Sequence, residues 1–106
     1  MSVEHVVVKV TTGSRQEAET IAQTLVEKRL AASGQVAALR TWYRWQGGVE
    51  ESEEWQVSLF TRHDRFDAVA KAVRELHAYE LPQVVAVPLV AGTEEFLRWI
   101  DECCEG

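Results

Sequence analysis

Two β-rich stretches, Gln35–Trp45 (QVAALRTWYRW) and Val49–Arg62 (VEESEEWQVSLFTR), flank a Gln46-Gly47-Gly48 turn. Apolar, β-branched and aromatic residues on either side of a glycine turn read as a β-hairpin. Each arm runs about 11 to 13 residues, which at ~3.3 Å per residue spans roughly 35 to 40 Å. A compact chain of 106 residues has a diameter of only about 35 Å, and strands in small domains are usually about half as long as these arms. The ribbon is therefore expected to overhang its own core. It carries Trp42, Trp45 and Trp55, three of the four tryptophans. Large aromatics on an overhanging ribbon invite either aggregation or docking. The expectation is a homo-oligomer in which the hairpin pairs with a neighbouring copy. The competing arrangement is a bulge that folds the arms back onto the core.

The remaining elements fall around this hairpin. VEHVVVKVT (Val3–Thr11) reads as an interior strand. Ser14 stands three residues before Glu17 in a capping-box pattern. Ala18, Ile21, Ala22 and Leu25 then recur at helical spacing, predicting a helix to about Ala32 with Gly34 as its stop. In the return arm of the hairpin Trp55, Val57 and Leu59 share one face, and Glu54, Gln56 and Ser58 the other. Asp64 is placed to cap a second helix carrying Phe66, Val69, Ala70, Val73 and Leu76. Pro82 ends that segment, and Gln83–Val90 reads as a last strand, at a sheet edge because Pro88 cannot donate to a ladder. Thr93 caps a short third helix through Phe96, Leu97 and Ile100. The order βα–ββ–αβ plus a helix predicts an α+β, ferredoxin-like split βαβ sandwich: one domain, residues 1–106, with an antiparallel sheet and two helices on one face.

Composition narrows the function. A net charge of −6 argues against nucleic acid as the main partner, since phosphate backbones attract basic patches. EESEE (Glu50–Glu54) reads as a solvated shoulder of the hairpin. No apolar run is long enough to span a membrane, and MSVEHVVVKV does not read as a signal peptide, so a cytoplasmic location is expected. Cys103 and Cys104 are adjacent, which strains a disulfide between them. They read as reduced thiols, one packed and one exposed. No zinc-ligand spacing, phosphate loop or catalytic triad is present, so an enzyme is not expected. TTGS (Thr11–Ser14) could hold an anion weakly at a helix start, though a plain strand-to-helix turn explains it as well.

LVEKRLAA (Leu25–Ala32), YRWQGGVEESEEW (Tyr43–Trp55), ELHAYELPQVVAVPL (Glu75–Leu89) and FLRWI (Phe96–Ile100), in this order and spacing, resemble the CutA family of divalent-cation tolerance proteins. The resemblance covers about Val6 to Ile100. It implies a ferredoxin-like fold similar to the PII signalling proteins and a homotrimer built by sheet pairing. It also implies an association with copper and other divalent cations, and a cleft between subunits. Two departures stand out. Ser33-Gly34-Gln35 replaces a stretch where the family commonly has cysteine, which puts thiolate-based copper binding in doubt. The family's His-Pro-Tyr-Glu is His77-Ala78-Tyr79-Glu80 here, and Ala78 is expected to loosen the turn.

The candidate site follows from that turn. His77 is the candidate metal ligand, through its imidazole, and the alternative is a histidine capping the last carbonyls of its helix. Tyr79, Glu80 and Trp45 are candidate ligand-binding residues. Tyr79 otherwise serves as an interface aromatic, Glu80 as a turn carboxylate or a partner of Arg44, and Trp45, like Trp99, as packing. His5 and His63 read as structural or surface residues. Together these predict a trimer binding copper, another divalent cation or a small ligand in its cleft, with no obligatory cofactor. The alternative is a PII-like signalling or scaffold trimer acting through a protein partner.

Overall fold

The computed structural model describes residues 3–104. The elements are β1 (His5–Thr12), α1 (Arg15–Glu27), β2 (Ser33–Trp45), β3 (Gly48–Arg62), a 3₁₀ turn (His63–Arg65), α2 (Phe66–Leu76), β4 (Val84–Pro88) and α3 (Glu94–Cys103). The four strands form one antiparallel sheet in the order β2-β3-β1-β4. Each crossover helix thus joins two parallel strands with a third between them, as the element order requires. Pro88 does lie on an edge strand.

Strand alternation separates the two faces. Val6, Val8, Val10, Val57 and Leu59 pack under Ala18, Ile21 and Leu25 of α1 and Val69 and Val73 of α2, forming the main core. Phe60 points the other way and joins a smaller cluster with Ala32, Leu97, Ile100 and Cys104, where α3 docks. His5 is buried there and hydrogen-bonds Asp101 at 2.8 Å, so its role is structural, whereas His63 is exposed. Cys104 is buried and Cys103 half-buried, both as free thiols.

Three local expectations change. Helix α1 stops at Glu27, before Ala32, because Arg29 takes a left-handed conformation (φ 61°) and the amides of Leu30 and Ala31 fold back onto the Leu25 carbonyl. The Arg29 guanidinium then donates to the carbonyls of Glu102 and Cys103, tying this turn to the end of α3. Asp64 does not cap α2. Its carboxylate takes two hydrogen bonds from Arg62, which hold it below its usual pKa, and Arg65 occupies the cap position, its guanidinium turned to the Cys104 carbonyl and not to the helix start. Ser14 and Thr93 do cap, accepting from the amides of Glu17 and Phe96.

Gly34 has a different function from a helix stop. It lies inside β2, where a Cβ would meet the Ala22 Cβ at 3.0 Å and Leu59 Cδ2 at 3.3 Å. The missing side chain lets α1 settle onto the sheet. Gly34→Ala should destabilise the fold by about 1–3 kcal/mol through overpacking. Urea unfolding at fixed protein concentration checks this, and an unchanged midpoint would show that the helix can ride up without cost.

The hairpin overhangs. Register runs without a bulge from Ser33↔Phe60 to Trp45↔Gly48, so the arms do not fold back. Gln46 (φ 49°) and Gly47 (φ 83°) form the two-residue turn with both residues left-handed, the type that matches strand twist. Strand β1 covers β3 only from Trp55 to Arg62. Beyond that point Leu39–Trp45 and Gly48–Glu54 pair only with each other. The long axis of the molecule reaches 44 Å against 28 and 22 Å for the other two. Trp55 packs on the core, but Trp42 and Val49 are 60% and 66% exposed.

Candidate functional site

The turn after α2 is held from two sides. Helix α2 ends at Leu76, and His77 leaves it in an extended conformation. The His77 side chain is fully buried, and its Nε2 lies in hydrogen-bond contact with the Thr11 carbonyl of β1. Its Nδ1 accepts from the Tyr79 amide at 3.0 Å. A carbonyl can only accept and an amide N–H only donate, so the ring hydrogen sits on Nε2. His77 is therefore a strut between β1 and the turn, and its ring, though His77 is the C-cap residue of α2, does not bond the last carbonyls of that helix. Neither nitrogen keeps a free lone pair for a metal, so ligation would require one of these bonds to open.

Glu17 supplies the second hold. Its carboxylate does not close the capping box back to Ser14. It accepts from the Ala78 amide at 2.7 Å. A proline at this position has no N–H to give. Ala78 therefore ties the turn to α1 through a bond that a proline could not make.

Held this way, Tyr79 passes over Gly13 and donates its hydroxyl to Glu54 at 2.9 Å. A Cβ on Gly13 would lie 3.2 Å from the Tyr79 hydroxyl. The glycine of TTGS is therefore explained by room for this ring. Burial, and then the bond to Glu54, push the Tyr79 phenol well above its usual pKa, so it remains a donor at neutral pH.

Tyr79, Glu80, Tyr43, Arg44, Trp45 and Glu54 share a cavity of about 340 Å³ between the overhanging ribbon and the 79–83 segment. Tyr79, Glu80 and Trp45 line this one cavity, and His77 is not among its lining residues. Glu80 is exposed and makes no ion pair with Arg44. Glu54 is the residue that sequence reasoning missed. It closes the acidic run EESEE, whose other glutamates are exposed, yet it is only 6% exposed itself. Its alternation with Trp55 was legible, but its partner lies 25 residues away and was not.

The donors of one chain do not fit a resident metal. Among the described residues no three His, Cys, Asp or Glu side chains converge. Ser33 opens β2 opposite Phe60 and adds no thiol.

Comparison with known proteins gives a consistent result. The family described as "CutA1 divalent ion tolerance protein" matches residues 6–103. The divalent-cation tolerance protein CutA of Archaeoglobus fulgidus is 37% identical over 101 residues, covering 95% of this chain and 99% of that protein. The protein of the same name from Thermus thermophilus is 40% identical over 97 residues, covering 91% and 94%. The solved A. fulgidus structure superposes with a TM-score of 0.93, again at 37% identity and covering 95% and 99% of the two chains. The CutA1 structure from a psychrotrophic Shewanella gives 0.95 at 27% identity with both chains fully covered. The A. fulgidus protein is described as periplasmic, which differs from the cytoplasmic expectation drawn from the N-terminus. No helix among the described residues is long and apolar enough to cross a membrane. With the fold, the ribbon and the turn after α2 all in place, this chain belongs to the CutA1 divalent ion tolerance family.

Proposed function

We propose that this tolerance protein acts as a binding protein: a homotrimer, joined through its ribbons, that takes a small ligand in the cavity beside the 79–83 segment. The observation that carries this reading is the cavity itself, walled on one side by the overhanging ribbon and on the other by a turn pinned by His77 and Glu17. A neighbour that completes the ribbon's sheet would turn an open recess into a cleft between subunits. The number three comes from the family resemblance, while the ribbon by itself argues for association. The family is described by tolerance and not by a reaction. In this reading any tie to divalent cations runs through the assembly or its ligand, not through a metal held by His77.

Calorimetric titration with copper(II) alone tests that assignment. His77→Gln keeps a side-chain donor and should leave copper affinity within about threefold of wild type. A loss of tenfold or more in a folded His77→Gln protein would put the metal on this ring and overturn the reading.

A further inference from the structure

One face of the ribbon gives the cavity both a carboxylate and an aromatic wall. The register of β2 against β3 puts Tyr43 and Trp45 on the face that carries Glu54, and all three line the cavity with Glu80 and Leu81. Arg44 is the one basic residue along this lining. The same register turns its side chain to the opposite face of the ribbon, with Arg40, Glu51 and Glu53. Among the described residues, then, two carboxylates line the cavity and no cationic side chain faces it.

Glu54 is only 6% exposed. Its Oε2 accepts the Tyr79 hydroxyl at 2.9 Å, and its Oε1 has no hydrogen-bond partner among the described residues. No fully enclosed side-chain oxygen or nitrogen among those residues lacks a partner, so Oε1 keeps an opening, and the space Glu54 lines is the cavity. A carboxylate so nearly buried with one neutral donor is under-compensated, because taking charge out of water without partners is costly. An ammonium group offers three donors and the missing charge. An anion would meet two carboxylates. A bare divalent ion would find too few converging ligands among the described residues.

The rest of the lining sets the shape of the molecule. Glu54 pairs with Leu39, and Tyr43 lies four residues further along β2, about 13 Å away. A charged end separated in this way from tyrosine, tryptophan and leucine suits an elongated molecule with one polar head and an apolar body. On the reading of the cavity as the ligand cleft, we propose that it binds a small cationic amine with an apolar body. The ammonium meets Glu54, and the body lies along Tyr43, Trp45 and Leu81.

Four probes separate charge from body: hexylamine, ethylamine, hexan-1-ol and hexanoate. Each is titrated into the intact protein while the indole N–H of Trp45 is followed by NMR. Hexylamine should bind best. Ethylamine, with four fewer methylenes to bury, should bind about tenfold or more weakly. Hexan-1-ol lacks the charge and should lose a similar factor, and hexanoate should not bind. Glu54→Gln keeps an oxygen for the Tyr79 hydroxyl but removes the charge. It should weaken hexylamine by about tenfold or more and leave hexan-1-ol unchanged. Hexanoate binding as well as hexylamine, or unaltered hexylamine affinity in Glu54→Gln, overturns the proposal. Sedimentation of the same samples separates the two levels. A monomer removes the cleft itself, whereas an oligomer that ignores all four probes removes only the ligand class.

Discussion

Truncating His77 to alanine is expected to destabilise the protein by about 2 kcal/mol or more, because it strands hydrogen-bonding groups on both sides of the ring. The Thr11 carbonyl loses its donor and the Tyr79 amide its acceptor, and a fully buried side chain is replaced by a void. The loss should be larger than for truncating Glu80, which is exposed at the cavity's rim. Urea unfolding at one protein concentration measures it, with concentration fixed because any association would contribute to the measured stability. His77→Gln should recover part of the loss by restoring a donor to Thr11. A His77→Ala protein within about 0.5 kcal/mol of wild type, the range of an ordinary surface substitution, would mean the ring is not a strut. Its role as a candidate metal ligand would then have to be reopened.

The second large effect lies on the ribbon. Trp42 and Val49 are 60% and 66% exposed, and the register of β2 against β3 puts both on the same face. Exposed apolar groups of this size on a two-stranded overhang are where a neighbouring copy would dock, and buried tryptophans dominate interface energetics. Replacing both by glutamate should weaken assembly by about a hundredfold or more, while leaving the core under α1 and α2 untouched. Neither residue belongs to that core. Sedimentation velocity over a dilution series reads the shift, and circular dichroism confirms retained secondary structure. Unchanged assembly of the double variant would place the contact on another face.

What could be read from the sequence and what could not divide along a physical line. The overhang was legible because it depends only on the lengths of two uninterrupted β-rich arms and the position of a glycine turn. The sheet order followed from the alternation of helices and strands. Residues whose function depends on a distant partner were not legible. Gly34 looked like a helix stop, but its neighbours are Ala22 and Leu59. Gly13 looked like part of a generic turn, but it makes room for Tyr79. Glu17 was assigned to a capping box and instead holds Ala78, 61 residues away. Glu54 was hidden in an acidic run whose other glutamates are exposed. Asp64 had the right residue type for a cap but lost that role to its ion pair with Arg62. In each case local pattern named an ordinary local role, and a long-range contact determined the actual one. The site candidates Tyr79, Glu80 and Trp45 do line one cavity, but the tautomer and both partners of His77 emerge only when β1 and the turn are seen together.

The proposed trimer and its cleft depend on a ribbon that one copy of the chain does not cover by itself. Sedimentation equilibrium of the wild-type protein at micromolar concentration tests that most directly. The predicted result is a single species of three times the 12.0 kDa chain mass. A stable particle of 12.0 kDa would contradict it, and the cleft would be lost with it.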